Sequence, residues 1–328
     1  MAYNENEARA LVIRAGHLLT ERGLIARTWG NISARISDSE FIITPSGLAY
    51  DTLRPEQLVR VSIADCAWEG DVKPSSEKGI HAAAYRLRPE ASFVIHTHQD
   101  AASVAGITGR TLSTGEHCEL LGGRVPCARY GLPSTKPLSR AVEEAIAQNP
   151  CSNAVLMRYH GTLCIGRDFE NAFAVAEALE ELCETAIGLM PIEPAPPMPT
   201  ELLEAARGLY AVADGSPAAA AVSRRGKTLR PFMDDLAQIA GVNVRCAEPT
   251  AESVAKQIRG RNAVLVRGFG AVCTGKTPED AEAVRMILTK SCRASLYADT
   301  VPGCRPLRGP DCAVQRLIYL KKYSRQKQ

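Results

Sequence analysis

The chain has 328 residues, 45% of them apolar and 23% charged, so it is too long for one average domain and too apolar to stay disordered. A formal net charge of +3 calls for no acidic partner, and the basic run LKKYSRQKQ (320–328) reads as a solvated end, not a nucleic-acid surface. The 11 cysteines are odd in number and scattered without a CxxC pair, which speaks against zinc ribbons and disulfide frameworks and for reduced thiols in a cytoplasmic protein.

MAYNENEARA carries acids and no apolar core, so no signal peptide is expected there. No apolar stretch reaches the roughly 18 residues of a membrane span. Residues 5–22 form an amphipathic helix in which Leu11, Val12, Ala15, Leu18 and Leu19 recur at helical spacing, ended by Gly23. NISARIS and EFIITPSG read as short strands, and SSEKGIHAAAYRLRP as a helix entered through serine and stopped before Pro89. ASFVIHTH is a strand and QDAASVAGI the helix after it. AVLMRYHGTLCIG splits at Gly161 into two strands, and the long helix from Asp168 to Met190 takes Asp168 as its N-cap.

PIEPAPPMP, with five prolines in nine residues, can be neither helix nor central strand. The domain boundary is placed there: a domain over 1–190, a Pro-rich linker over 191–200 and a second domain over 201–328. The second domain repeats part of the first. NAVLMRYHGTLCIGRDFENAFAVAEAL from Asn153 matches NAVLVRGFGAVCTGKTPEDAEAVRMIL from Asn262, and ELLGGRVPCARYG has a looser echo in LAQIAGVNVRCAE. No counterpart of IHTH is expected in the second copy, and Phe269 replaces His160, so that copy should hold no metal.

In a strand, residues two apart face the same way, so His96 and His98 can share one cation. A catalytic metal wants a third protein ligand; His160, beside the flexible Gly161, is the candidate. His17 and His81 fall in helical patterns and read as structural. WGN, TPSG and PSSE place small and hydroxyl residues in turns and at a helix start, where exposed N–H groups can hold a phosphate.

TWGNISAR, ITPSGLAYD, PSSEKGIHAAAYRLRPEASFVIHTH and YHGTLCIG, in this order over about residues 5–190, resemble the class II aldolase/adducin family. The resemblance implies an α/β protein: a three-layer α/β/α fold with a largely antiparallel central sheet, here followed by a smaller α/β half-repeat. It implies a homo-oligomer with sites at subunit boundaries. It makes His96, His98 and His160 ligands of a divalent metal, with Zn²⁺ the first expectation. It assigns phosphate binding to Asn31, Ser46, Gly47, Ser75 and Ser76, and acid/base catalysis to Glu77. The implied activity is reversible aldol cleavage of a small phosphorylated ketose through an enediolate.

Glu119 falls near the position where epimerases of the family carry a catalytic Asp and dehydratases a Glu, while the Tyr expected of the aldolases has no match there. Keeping Glu77 favours aldol cleavage; Glu119 leaves dehydration, 4-epimerisation and decarboxylation open. Adducins of this fold are non-catalytic scaffolds, a role that the three histidines and Glu77 oppose in the first domain. Residues 270–277, GAVCTGKT, also fit a G-x-x-x-x-G-K-[ST] phosphate loop and so raise NTP binding, although the repeat explains the same glycines as strand-end punctuation.

Overall fold

A computed structural model describes residues 2–25 and 29–323; Thr28 of TWGN and 324–328 of the basic end lie outside them. The chain divides into two compact units, Met1–Ala186 and Ile187–Gln328.

The first unit runs α1 (Glu5–Glu21), β1 (Asn31–Arg35), β2 (Glu40–Ile43), β3 (Val59–Ser62), α2 (Lys78–Leu87), β4 (Phe93–Thr97) and α3 (Asp100–Gly106). It continues with β5 (Leu112–Ser113), α4 (Cys118–Leu121), β6 (Arg124–Val125), β7 (Cys127–Ala128), α5 (Lys136–Gln148), β8 (Ala154–Met157), β9 (Gly161–Gly166) and α6 (Phe169–Ile187). Seven strands form one sheet in the order β3-β2-β1-β4-β9-β8-β7. Every pair in it is antiparallel except β7 with β8, so the sheet is mixed, with one parallel edge.

Alternation along the strands builds two cores. Phe41 and Ile43 of β2, Val94 of β4 and Leu163 and Ile165 of β9 face α2 and α5, where Ile80, Tyr85, Leu138 and Val142 complete one cluster. On the other face Phe93 meets Tyr3 and Phe169 edge-on, with ring centroids 6.4 and 5.3 Å apart. Each such pair adds roughly 0.5–1.5 kcal/mol beyond area burial, and together they hold β4 from behind. The helix ends follow local rules. The Asn4 side chain accepts from the Glu7 N–H, Gly23 takes φ +69° after α1, and Asp168 Oδ1 accepts from the Asn171 N–H at 2.7 Å to cap α6.

The second unit contains α7 (Thr200–Glu204), β10 (Tyr210–Asp214), α8 (Pro217–Arg224), α9 (Asp234–Ala240), β11 (Cys246–Ala247), α10 (Ala251–Ile258), β12 (Ala263–Val266), β13 (Gly270–Gly275), α11 (Pro278–Thr300) and α12 (Gly309–Ile318). Its sheet, β10-β13-β12-β11, repeats the pairing of β4-β9-β8-β7, again with one parallel edge.

The register corrects one expectation: the second copy does have a counterpart of the IHTH strand. Gly166 pairs with Phe93 and Gly275 with Tyr210, so Ala213 takes the place of His96 and Gly215 that of His98. Sequence comparison missed β10 because the side chains that make IHTH visible are the ones it lacks. The backbone approach is kept: a Cβ on Gly161 would lie 2.4 Å from the Thr97 carbonyl oxygen, and one on Gly270 2.0 Å from that of Asp214.

The phosphate-loop reading of 270–277 is also corrected. Residues 270–275 are strand β13, paired on both sides, and α11 starts only at Pro278. The Gly270 N–H donates to Ser223 Oγ and the Thr274 N–H to the Asn262 carbonyl, and the strand is paired on both sides, so this backbone does not cradle a phosphate. No helix among the described residues is long and apolar enough to cross a membrane.

Candidate metal centre

His96 and His98 leave β4 on the face that looks toward α2, as alternation requires. The segment after them is pinned. Thr97 Oγ1 donates to Gln99 Oε1 at 2.6 Å, and Gln99 Nε2 donates to the Ala176 carbonyl at 2.9 Å. Glu180 of α6 accepts from the Ala101 and Ala102 N–H groups at 2.6 and 3.0 Å, the first turn of α3.

The third histidine comes from the tight connection between β8 and β9. Tyr159 sits there at φ +63°, a conformation that costs a non-glycine residue roughly 1–3 kcal/mol. Gly268 takes the equivalent position in the second copy at φ +81°. Tyr159 is held by the Tyr130 ring at 5.7 Å and by the Arg158 guanidinium at 4.7 Å. The turn delivers His160 against His96, with ring centroids 5.1 Å apart, and against His98 at 4.7 Å.

The three imidazoles each offer a nitrogen, and these nitrogens lie within 4.8 Å of one another. His96 Nδ1–H donates to the Thr162 carbonyl at 2.7 Å, which leaves the Nε2 lone pair facing His98 Nε2 at 3.1 Å. Three imidazole nitrogens converging in a buried site suit zinc or a similar divalent cation. His96, His98 and His160 would hold it.

Gly161 makes room for them. A Cβ there would also lie 3.1 Å from His96 Cε1 and 3.3 Å from His98 Cδ2. Gly161→Ala is therefore expected to destabilise the fold by about 1–3 kcal/mol and to weaken metal binding at least tenfold. Thermal melts and a metal titration check this; an unchanged metal affinity would refute the crowding argument.

Glu77 precedes α2 and makes no side-chain cap to it. Its carboxylate turns instead to the histidines: Oε1 lies 3.0 Å from His160 Nε2, and Oε2 lies 3.2 Å from His96 Nε2. Burial pushes the Glu77 carboxyl up, yet the adjacent His160 and His96 rings outweigh that and hold it well below the usual carboxylate range. Asn31 Nδ2 donates to Glu77 Oε2 at 3.1 Å.

The residues tied to phosphate by resemblance are brought together at the same end of α2. Pro45 bridges Pro74, the Ser46 N–H donates to the Lys73 carbonyl, and the Ser75 N–H donates to Thr44, both at 3.0 Å. Gly47 is exposed beside them at φ +80°. Ser75 Oγ accepts from the Glu77 N–H at 3.2 Å, and Ser76 Oγ is 2.7 Å from Ser134 Oγ. Glu119 is exposed on α4 and is not in the three-histidine ligand group. The pattern reading missed Ser134, which stands at φ +64°. It also set aside His81, which is fully buried and bonded to Asn31. Its spacing, four residues after Glu77 at the helix cap, was the available signal.

The family model for the class II aldolase and adducin N-terminal domain matches residues 10–187 and again 215–296. The chain belongs to this family. The chain is 32% identical over 174 residues to the 5-deoxy-D-ribulose 1-phosphate aldolase of Bacillus thuringiensis serovar kurstaki, covering 52% of this chain and 80% of that protein. It is 31% identical over 186 residues to the L-fuculose phosphate aldolase of Escherichia coli K12, covering 56% and 84%. A solved L-fuculose 1-phosphate aldolase superposes with a TM-score of 0.52 at 26% identity, over 57% of this chain and 91% of that one. The two matched segments fall one in each unit, in keeping with the repeated strand pairing.

Proposed function

We propose that the first unit reversibly cleaves a small phosphorylated ketose. The observation that carries this is the buried Glu77 carboxylate set within 3.2 Å of two of three converging imidazoles. A divalent cation held by His96, His98 and His160, with Zn²⁺ the preferred choice, would polarise the ketose carbonyl and stabilise charge as the carbon–carbon bond breaks.

The chain supplies the rest. Cleavage removes a proton from the hydroxyl of the departing aldehyde half and returns one to the carbon left on the ketone half. Glu77, ionised and buried, takes up and returns that proton. Ser75, Ser76, Ser46, Gly47 and the Asn31 amide, gathered around the start of α2, receive the phosphate, whose charge suits a helix N-terminus. Glu119, exposed on α4, is available to face a neighbouring copy and supply a second acid there. The functional unit is therefore proposed to be a homo-oligomer working in the cytoplasm.

Purified, metal-loaded protein should release dihydroxyacetone phosphate from L-fuculose 1-phosphate or 5-deoxy-D-ribulose 1-phosphate, read by a coupled reductase. Loss of water from the sugar phosphate without release of an aldehyde would turn the reading to dehydration, with Glu119 as the acid. No change in either compound, or in other phosphorylated ketoses, would overturn it.

A further inference from the structure

The first three polar residues of β1 that face α2 are matched one for one by polar residues of that helix. Asn31, Ser33 and Arg35 lie two apart on one face of the strand. Glu77, His81 and Tyr85 lie four apart on one face of the helix or at its cap. Two strand residues advance about 6.6 Å and four helix residues about 6.0 Å, so the two rows stay in step.

The contacts follow. Asn31 meets Glu77 at 3.1 Å and His81 at 2.6 Å. Ser33 meets His81 Nδ1 at 2.7 Å and the Tyr85 hydroxyl at 2.8 Å. Arg35 donates to the Tyr85 carbonyl at 2.6 Å and lies 4.8 Å from its ring centre.

Asn31, Ser33, His81 and Tyr85 are each at most 4% exposed. Such a row would be easier to bury if it were apolar, because each polar group must find a partner. Packing alone therefore does not explain it.

Donor and acceptor roles fix its direction. The Glu77 carboxylate only accepts, so Asn31 must present Nδ2–H to it and Oδ1 to His81. His81 then carries its proton on Nε2 and accepts at Nδ1 from the Ser33 hydroxyl, whose oxygen accepts from Tyr85 O–H.

We propose that His81 is a positioning residue: through its Nε2–H it locks the Asn31 amide with N–H toward Glu77 and the phosphate site, with Ser33 and Tyr85 fixing its tautomer. Turned over, the amide would set its oxygen against the Glu77 carboxylate and offer a carbonyl where a phosphate donor is needed. The catalytic importance of this lock rests on the role proposed above for Glu77.

Two measurements on the full chain test it. In ¹⁵N-histidine-labelled protein, the resonance lost in His81→Gln should be a neutral ring protonated at Nε2, with or without added zinc; an Nδ1–H ring overturns the inference. In kinetics, His81→Leu should lower kcat/KM about 10–100-fold with bound metal unchanged, and His81→Gln, which keeps an N–H donor, should recover most of the loss. Equal activity of the two variants, as a space-filling role gives, overturns it.

Should His81→Leu fail to fold, Ser33→Ala removes one oxygen from the row and should still cost several-fold; unchanged turnover overturns the lock. Glu77→Gln serves as the reference. If it is inactive while His81→Leu is fully active, this inference alone fails. If Glu77→Gln is active, the functional reading fails, and the tautomer measurement still decides the lock.

Discussion

Glu77→Gln is expected to keep its metal and to lose turnover by about 10²–10⁴-fold, the usual worth of a positioned acid or base. The substitution is nearly isosteric and leaves His96, His98 and His160 in place, so elemental analysis should find the metal content of wild type. What it removes is the ability to take up and return a proton. The native carboxylate lies 3.0 and 3.2 Å from two ligand rings, whose proximity lowers its carboxyl pKa against the burial that would raise it. Single-turnover and steady-state rates of ketose cleavage read the loss. Near-wild-type turnover would refute the acid/base role; a protein that had lost its metal would instead make Glu77 chiefly a support for the cluster.

His98→Ala is expected to abolish stoichiometric metal binding, with His96→Ala and His160→Ala behaving alike. Loss of a partner that merely orients a ligand costs roughly 10–100-fold in affinity, and loss of one of three ligands should cost at least the upper end of that range. The wild type should carry about one divalent ion per chain, since the only three-residue ligand group among the described residues is this one. Metal should raise its melting temperature, because a ligand that binds only the folded state stabilises it, and the variants should lose that increment. Metal retained at full stoichiometry in the His96 and His160 variants would sink the assignment. A metal-free wild type after reconstitution would favour a scaffold role for the first unit.

Much of the site could be read from local patterns. HxH at the end of an apolar run implies two imidazoles on one face because strand alternation is a local property, and β4 obeys it. Asp168 caps α6 through its side chain, and Gly23, lacking one, takes the left-handed backbone that follows α1. The proline run and the repeat likewise depend only on composition and order.

Other features were not visible in that way. His81 falls in an ordinary amphipathic pattern, and its partners Asn31 and Ser33 come from a strand about fifty positions earlier in the chain. Ser134 met Ser76 only through packing of α5 against α2. The strand β10 shares pairing with β4 but not its histidines, so only the hydrogen-bond register reveals the correspondence.

By itself the sequence determined which groups could serve: three histidines, one glutamate, a set of small hydroxyl residues and a second copy stripped of ligands. The histidines, the hydroxyl residues and the stripped copy are matters of residue type and short-range pattern, which the chain carries in any conformation; the glutamate was marked out by the family resemblance. Tertiary structure alone decided that Glu77 faces the imidazoles and does not cap its own helix, that Glu119 stands outside the cluster, and that helix and strand advance in near-equal steps to align Asn31, His81, Ser33 and Tyr85. These depend on the register between elements distant in sequence, which is set by the burial of whole faces and not by any one stretch of residues.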